Sequence, residues 1–125
     1  MSVYNVNSYP TILSVSYDAA LDETRARLLE LHGYAVIPAH SVADALTHCK
    51  DEERIDLLLV GHAIPHGEKE NTIAAFRASR PAVPVIALKG AGEQAVHVAD
   101  LLIERDPGVL LASIATLVPA TPIAA

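Results

Sequence analysis

Apolar positions along the chain fall into short aliphatic runs separated by longer mixed stretches, a rhythm that predicts alternating strands and helices. Thr11–Val15 (TILSV) reads as a strand and Ala19–His32 as a helix, with Leu21, Leu28, Leu29 and Leu31 apolar. Asp18 supplies an N-cap, Asp22 and Glu23 complement the positive helix end, and Gly33 stops the helix. Tyr34–Ile37 predicts a second strand, and Ser41-Val-Ala-Asp44 a capping-box-like start for a helix running to about Lys50. Asp56–Val60 is a continuous Leu/Val run, as expected of a strand covered on both faces. A helix is predicted near Asn71–Arg80, ended by Pro81, then a fourth strand over Val83–Leu88. Gly90 and Gly92 open a short helix to about Val98, and a weaker strand lies near Asp100–Ile103. Asp106-Pro107 starts a last helix that Pro119 ends. Five strands and five helices in strict alternation imply parallel βαβ units.

Length and composition narrow the class. A chain of 125 residues suits one domain, here an arm over 1–10, a folded body over 11–118 and a tail over 119–125. With 51% apolar and 4% aromatic residues it fits an aliphatic α/β core better than a disordered chain. The net charge of −6, with Lys and Arg scattered, argues against a nucleic-acid binder. Cys49 stands alone, so no internal disulfide can form; it reads as a small core residue in a reducing, cytoplasmic setting. The first ten residues lack the apolar segment of a signal peptide. The uncharged run 107–125 contains three prolines, and its apolar part, about Val109–Val118, is short of the ~20 residues of a spanning helix. A soluble protein without membrane association is expected.

The stretch Asp56–Gly67, DLLLVGHAIPHG, joins the third strand to a turn with Pro65 four residues past Gly61. It resembles the third strand of the receiver domain of two-component response regulators. There the strand ends on the aspartate that takes a phosphoryl group, and a proline stands four residues later. TILSVSYDAAL resembles that family's first strand and turn, HGYAVIPAHSVADAL the end of its first helix through the start of its second, and PVIALKG its fourth strand. The resemblance covers roughly residues 11–118. It implies a flavodoxin-like, CheY-like three-layer sandwich: a doubly wound five-stranded parallel sheet of order 2-1-3-4-5 with helices on both faces.

The family's working residues do not carry over. Its acidic pair after strand one falls at Ser16 and Tyr17, leaving Asp18 as the acidic neighbour, and its phosphoacceptor falls at Gly61. The Thr or Ser that ends strand four falls at Lys89, and the lysine after strand five has no match, since Ile103 or Glu104 stands there. The glycine eight past the phosphoacceptor is Lys69, with Gly67 close by. Mg²⁺ wants several hard oxygen ligands, and one carboxylate beside a lysine is a poor offer. The resemblance therefore implies a stand-alone, degenerate receiver, a signalling protein of two-component or phosphorelay type that is not phosphorylated at the usual position. It would act through a protein partner and not as an enzyme.

Other chemistry at the strand ends stays open. In a doubly wound sheet the C-terminal crevice would be lined by Ser16, Tyr17, Asp18, Gly61, His62 and Lys89. Asp18 could cap its helix while Lys89 pairs with it or extends into solvent. Alternatively Lys89, Gly90 and Gly92 could hold a small anion or a phosphorylated ligand at a helix start. Gly90, Gly92 and Ala95 fit G-x-G-x-x-A, but after the fourth strand, not the first, so a dinucleotide is not implied. His62 and His66 have helical spacing with Pro65 between them and no third ligand nearby, so neither metal nor cofactor is expected. No Ser-His-Asp or Cys-His arrangement is legible. The last helix is apolar almost all round, through Val109, Leu110, Leu111, Ile114, Leu117 and Val118. That predicts a partner or homodimer interface, unless the tail folds back to cover it.

Overall fold

The computed structural model describes residues 9–51 and 54–120. Nine elements follow one another: β1 (Thr11–Val15), α1 (Ala19–Leu31), β2 (Ala35–Ala39), α2 (Val42–Asp51), β3 (Leu57–Val60), α3 (His66–Ser79), β4 (Val85–Leu88), β5 (Leu101–Ile103) and α4 (Pro107–Leu117). All strand pairs are parallel, in the order β2-β1-β3-β4-β5. The expected doubly wound sheet is therefore present.

Alternation along the strands sorts the core into two layers. Leu13, Val15, Leu58, Val60, Val85 and Ala87 face α2 and α3, meeting Ala45, Cys49, Ile73 and Phe76. Ile12, Leu57, Leu59, Ile86 and Leu88 face the other way, meeting Leu29 of α1 and Leu110 and Ile114 of α4. Cys49 is buried and unpaired, a core residue as expected. Pro38, which offers no N–H to a ladder, sits on the edge strand β2, where that costs least.

Helix boundaries follow their caps. Asp18 accepts from Leu21 N (3.0 Å), Ser41 Oγ from Asp44 N (3.0 Å), and Asp106 from Val109 N (3.0 Å) with Pro107 in the first turn. Gly33 leaves α1 at φ 93°, a left-handed conformation that favours glycine. Tyr34 Oη donates to Val118 O (2.7 Å), tying the end of α4 to the start of β2.

Two expectations fail. Helix α3 starts at His66, directly after Pro65, and not near Asn71. Its buried positions are Lys69, Thr72, Ile73 and Phe76, a helical i, i+3, i+4, i+7 stripe whose first member is a lysine and so reads as surface. The short helix expected over Gly90–Val98 is absent, leaving four helices among the described residues. Cations of α3 stitch this irregular crossing instead. Arg77 Nε donates to Val98 O (2.7 Å) and its Nη2 pairs with Asp100 (2.8 Å), while Lys69 binds the crossing's beginning.

The apolar last helix is also more ordinary than its sequence. Leu110 (3% exposed) and Ile114 (0%) are core residues, and Leu111, Leu117 and Val118 are half-buried against the same cluster. Of the expected interface residues, Val109 stands clearly in solvent. Ala120 packs on that cluster too. Most of the expected arm (1–10) and tail (119–125) lies outside the described residues. Among the described residues no helix is long and apolar enough to cross a membrane.

Candidate functional site

The end of β3 is closed. Gly61 N donates to Val15 O (2.8 Å), and a Cβ built on Gly61 would lie 3.1 Å from that carbonyl oxygen and 3.3 Å from Ser16 Cβ and Oγ. Ser16 is itself buried, its hydroxyl 3.2 Å from both Asp18 N and Asp18 O. Tyr17 turns outward and donates to Glu68 Oε1 (2.6 Å), tying the β1–α1 turn to the first turn of α3. That bond to Glu68, with burial and the carboxylate's charge, pushes the Tyr17 hydroxyl up to about 12. Lys89 leaves the crevice and faces Glu104 at 3.6 Å, both groups exposed. Of the six residues expected to converge, the fold thus gathers Ser16, Asp18 and Gly61 and turns Tyr17 and Lys89 to other partners.

A charged network fills the space on the α3 side. Lys69 is fully buried, and its ammonium donates to Leu88 O (2.9 Å) and Glu93 Oε1 (2.6 Å). The same oxygen accepts from Gly90 N (3.0 Å), and Glu93 Oε2 meets His66 Nδ1 at 2.7 Å. His66 Nε2 in turn stands 3.3 Å from Glu70. Burial alone would push the Glu93 carboxyl up. The hydrogen bonds from Lys69, Gly90 and His66 overcome it and hold the carboxyl down at about 2. Glu93 therefore occupies, from within the chain, the Gly90 N–H that the alternative reading offered to an external anion. Beside it a cavity of about 480 Å³ opens between the β3–α3 turn and the start of the β4–β5 crossing. His62, Ile64, His66, Gly92, Glu93 and Gln94 are among its walls. It sits between β3 and β4, one strand away from the switch point between β1 and β3.

A second polar group lies under α1. Ser14 Oγ donates to the fully buried Asp22 (2.5 Å), and His40 Nε2 stands 3.3 Å from the other carboxylate oxygen. Burial pushes the Asp22 carboxyl up, against the Ser14 bond and the charges of Arg25 and His40. Arg25 is 8% exposed, and burial lowers its pKa against the pull of Asp22 and Asp18. Asp22 Oδ2, Arg25 Nη1 and His62 Nδ1 are buried without a hydrogen-bond partner. Burial lowers the His62 pKa, and the charges of Arg105, Arg25 and Lys69 add to this. Although His62 and His66 line one cavity, no group of three or more His, Cys, Asp or Glu is placed to hold a metal among the described residues.

Sequence reasoning missed Lys69, Glu93, Asp22 and Arg25 as buried groups. The available signal was periodic: Asp22, Arg25 and Leu29 share one helix face, as do Lys69, Thr72, Ile73 and Phe76.

No protein-family model matches the chain, and no curated protein does. Solved structures do. A CheY-like response regulator receiver domain protein from Methanospirillum hungatei superposes with a TM-score of 0.75 at 24% identity, over 87% of this chain and 93% of that one. The chemotaxis protein CheY4 of Vibrio cholerae gives 0.76 at 17% identity, over 89% and 100%. A response regulator from Burkholderia pseudomallei, with a phosphorylated aspartic acid, a calcium ion and citrate, gives 0.69 at 22% identity, over 82% and 65%. The sheet order, the two-faced core and these likenesses together give the chain the CheY-like receiver fold.

Proposed function

We propose that this chain is a receiver-like signalling module that works without aspartyl phosphorylation and acts by contact with a protein partner. The observation that carries this reading is the end of β3, where Gly61 offers no side chain and Val15 O and Ser16 crowd any Cβ placed there. The Burkholderia pseudomallei protein holds a phosphorylated aspartate and calcium on a similar frame. Here one carboxylate, Asp18, stands by the corresponding turn, and its Oδ1 caps α1. Such a site has no acceptor and too few hard ligands for Mg²⁺. Fold without switch chemistry favours a role in binding.

The partner surface centres on α4, a helix with no charged residue, where Val109 is 42% exposed and Leu111 and Leu117 are half-buried. A second copy of the chain is the simplest partner for such a face. Anion capture at Lys89, Gly90 and Gly92 has less support, because Glu104 faces the lysine and Glu93 takes the Gly90 N–H.

Incubation with acetyl phosphate and Mg²⁺ tests the central claim by intact-mass measurement. The mass is expected to stay unchanged. A stoichiometric gain of one phosphoryl group, lost on mild base treatment as an acyl phosphate would be, would overturn the reading.

A further inference from the structure

Three donors from two parts of the chain converge on one carboxylate. Lys69 Nζ (2.6 Å) and Gly90 N (3.0 Å) reach Glu93 Oε1, and His66 Nδ1 (2.7 Å) reaches Oε2. Together they engage both oxygens of a planar group, with an ammonium supplying the charge. The second acceptor of that ammonium, Leu88 O (2.9 Å), is neutral. The side chains of Lys69 and Glu93 are 0% and 7% exposed, but His66 is half exposed. His66 and Glu93 both stand on the wall of the cavity of about 480 Å³. The donor set is therefore buried at the back and open at the front.

Glu93 is held on a backbone that can turn. Gly92, directly before it, has φ 72°, a left-handed conformation, and the path from β4 to β5 carries no helix or strand. Rotation at Gly92 withdraws Glu93 from the donors and breaks no ladder. What stays behind is a fully buried ammonium beside a backbone N–H and an imidazole. Water there satisfies the hydrogen bonds and leaves the charge unmatched, whereas an anion satisfies both. The cavity has the size of small-ligand sites, and Ala63, Ile64, Pro65 and Ala91 give it apolar surface beside the polar groups.

We propose that Lys69, Gly90 and His66 form a carboxylate seat, and that Glu93 is its built-in, displaceable occupant. The external ligand is a small carboxylic acid whose apolar body lies in the cavity against Ile64 and Pro65. This seat differs from the Lys89 turn considered above: its cation is Lys69, and it admits an outside ligand only when Glu93 swings away. It is independent of the signalling reading. Binding frees the beginning of the β4–β5 crossing from α3, while Arg77 keeps its hold on Val98 O.

The test titrates the full chain and its Glu93→Ala variant with acetate and with butyrate at pH 7, at constant ionic strength against chloride. It reads the melting temperature and the amide resonances of Gly90 and Gly92. In Glu93→Ala both acids should raise the melting temperature saturably. Butyrate should bind roughly tenfold tighter, the weight of two buried methylenes. The parent chain should show the same resonance shifts at roughly tenfold or higher concentration, because Glu93 competes. Adding Lys69→Met to Glu93→Ala should abolish the response. If Glu93→Ala is unfolded by itself, carboxylate-dependent recovery of the folded circular-dichroism signal replaces the melting temperature. Absence of a saturable response in Glu93→Ala overturns the seat, and so does a response that survives Lys69→Met. A parent chain that stays silent while Glu93→Ala responds overturns Glu93 as a displaceable occupant. Equal binding of the two acids overturns the apolar contact.

Discussion

Lys69 is the residue whose burial most changes the picture of this chain. Its ammonium is fully enclosed, yet it has two strong acceptors, one of them a carboxylate at 2.6 Å. Such a pair contributes little when intact, because desolvation offsets much of the Coulomb attraction. Breaking it is another matter. Lys69→Ala leaves the Glu93 carboxylate enclosed with Gly90 N and His66 as its remaining partners, and should cost about 3–5 kcal/mol in urea denaturation. The double substitution Lys69→Met, Glu93→Gln removes both charges at similar volume and should recover most of that loss. A single variant as stable as the parent chain would show that the pair is solvated and not structural.

At the scale of elements, α4 separates core from surface within eleven residues. Leu110→Ala should cost about 2–5 kcal/mol, because a fully packed leucine leaves a cavity. Val109→Glu, one position earlier and in solvent, should leave stability within about 0.5 kcal/mol. If α4 is the contact between two copies, it should also convert a dimer to a monomer on a sizing column. A parent chain that elutes as a monomer at every concentration would remove the dimer. The elements were largely legible beforehand, because the Leu/Val runs of β3 and β4 and the caps at Asp18, Ser41 and Asp106 are local signals. The start of α3 was not, since a lysine and a threonine occupy inward positions that a hydrophobic pattern assigns to solvent. The crossing after β4 misled for the same reason: its glycines read as a helix start, while Glu93 and the α3 cations, distant in sequence, fix its path. The glycine at position 61 was legible from one residue; the networks flanking it are tertiary and were not.

For the molecule as a whole, the two buried networks should oppose each other as pH falls. The Glu93 carboxyl is held at about 2 in the folded chain, below its ordinary 4.5. Its contribution is therefore fully present above pH 4.5 and lost as pH falls towards 2. Asp22 has the reverse sign. Burial raises its folded pKa above the ordinary 3.8, so folding is disfavoured as pH rises through that raised value and relieved as it falls. The sum predicts a gain as pH falls through the raised Asp22 value, set against a loss below pH 4.5, where the unfolded chain takes up a proton on Glu93 that the folded chain still refuses. Urea denaturation from pH 7 to pH 3 resolves the two. Glu93→Gln should flatten the loss below pH 4.5, and Asp22→Asn should remove the gain, leaving the Glu93 loss unopposed. Profiles of parent and Glu93→Gln that run parallel throughout would mean that the Lys69–Glu93–His66 network does not hold the β4–β5 crossing through its charge. The crossing would then rest on Arg77, which binds Val98 O and Asp100, and the helix-free path from β4 to β5 would be fixed from one end of α3 instead of two.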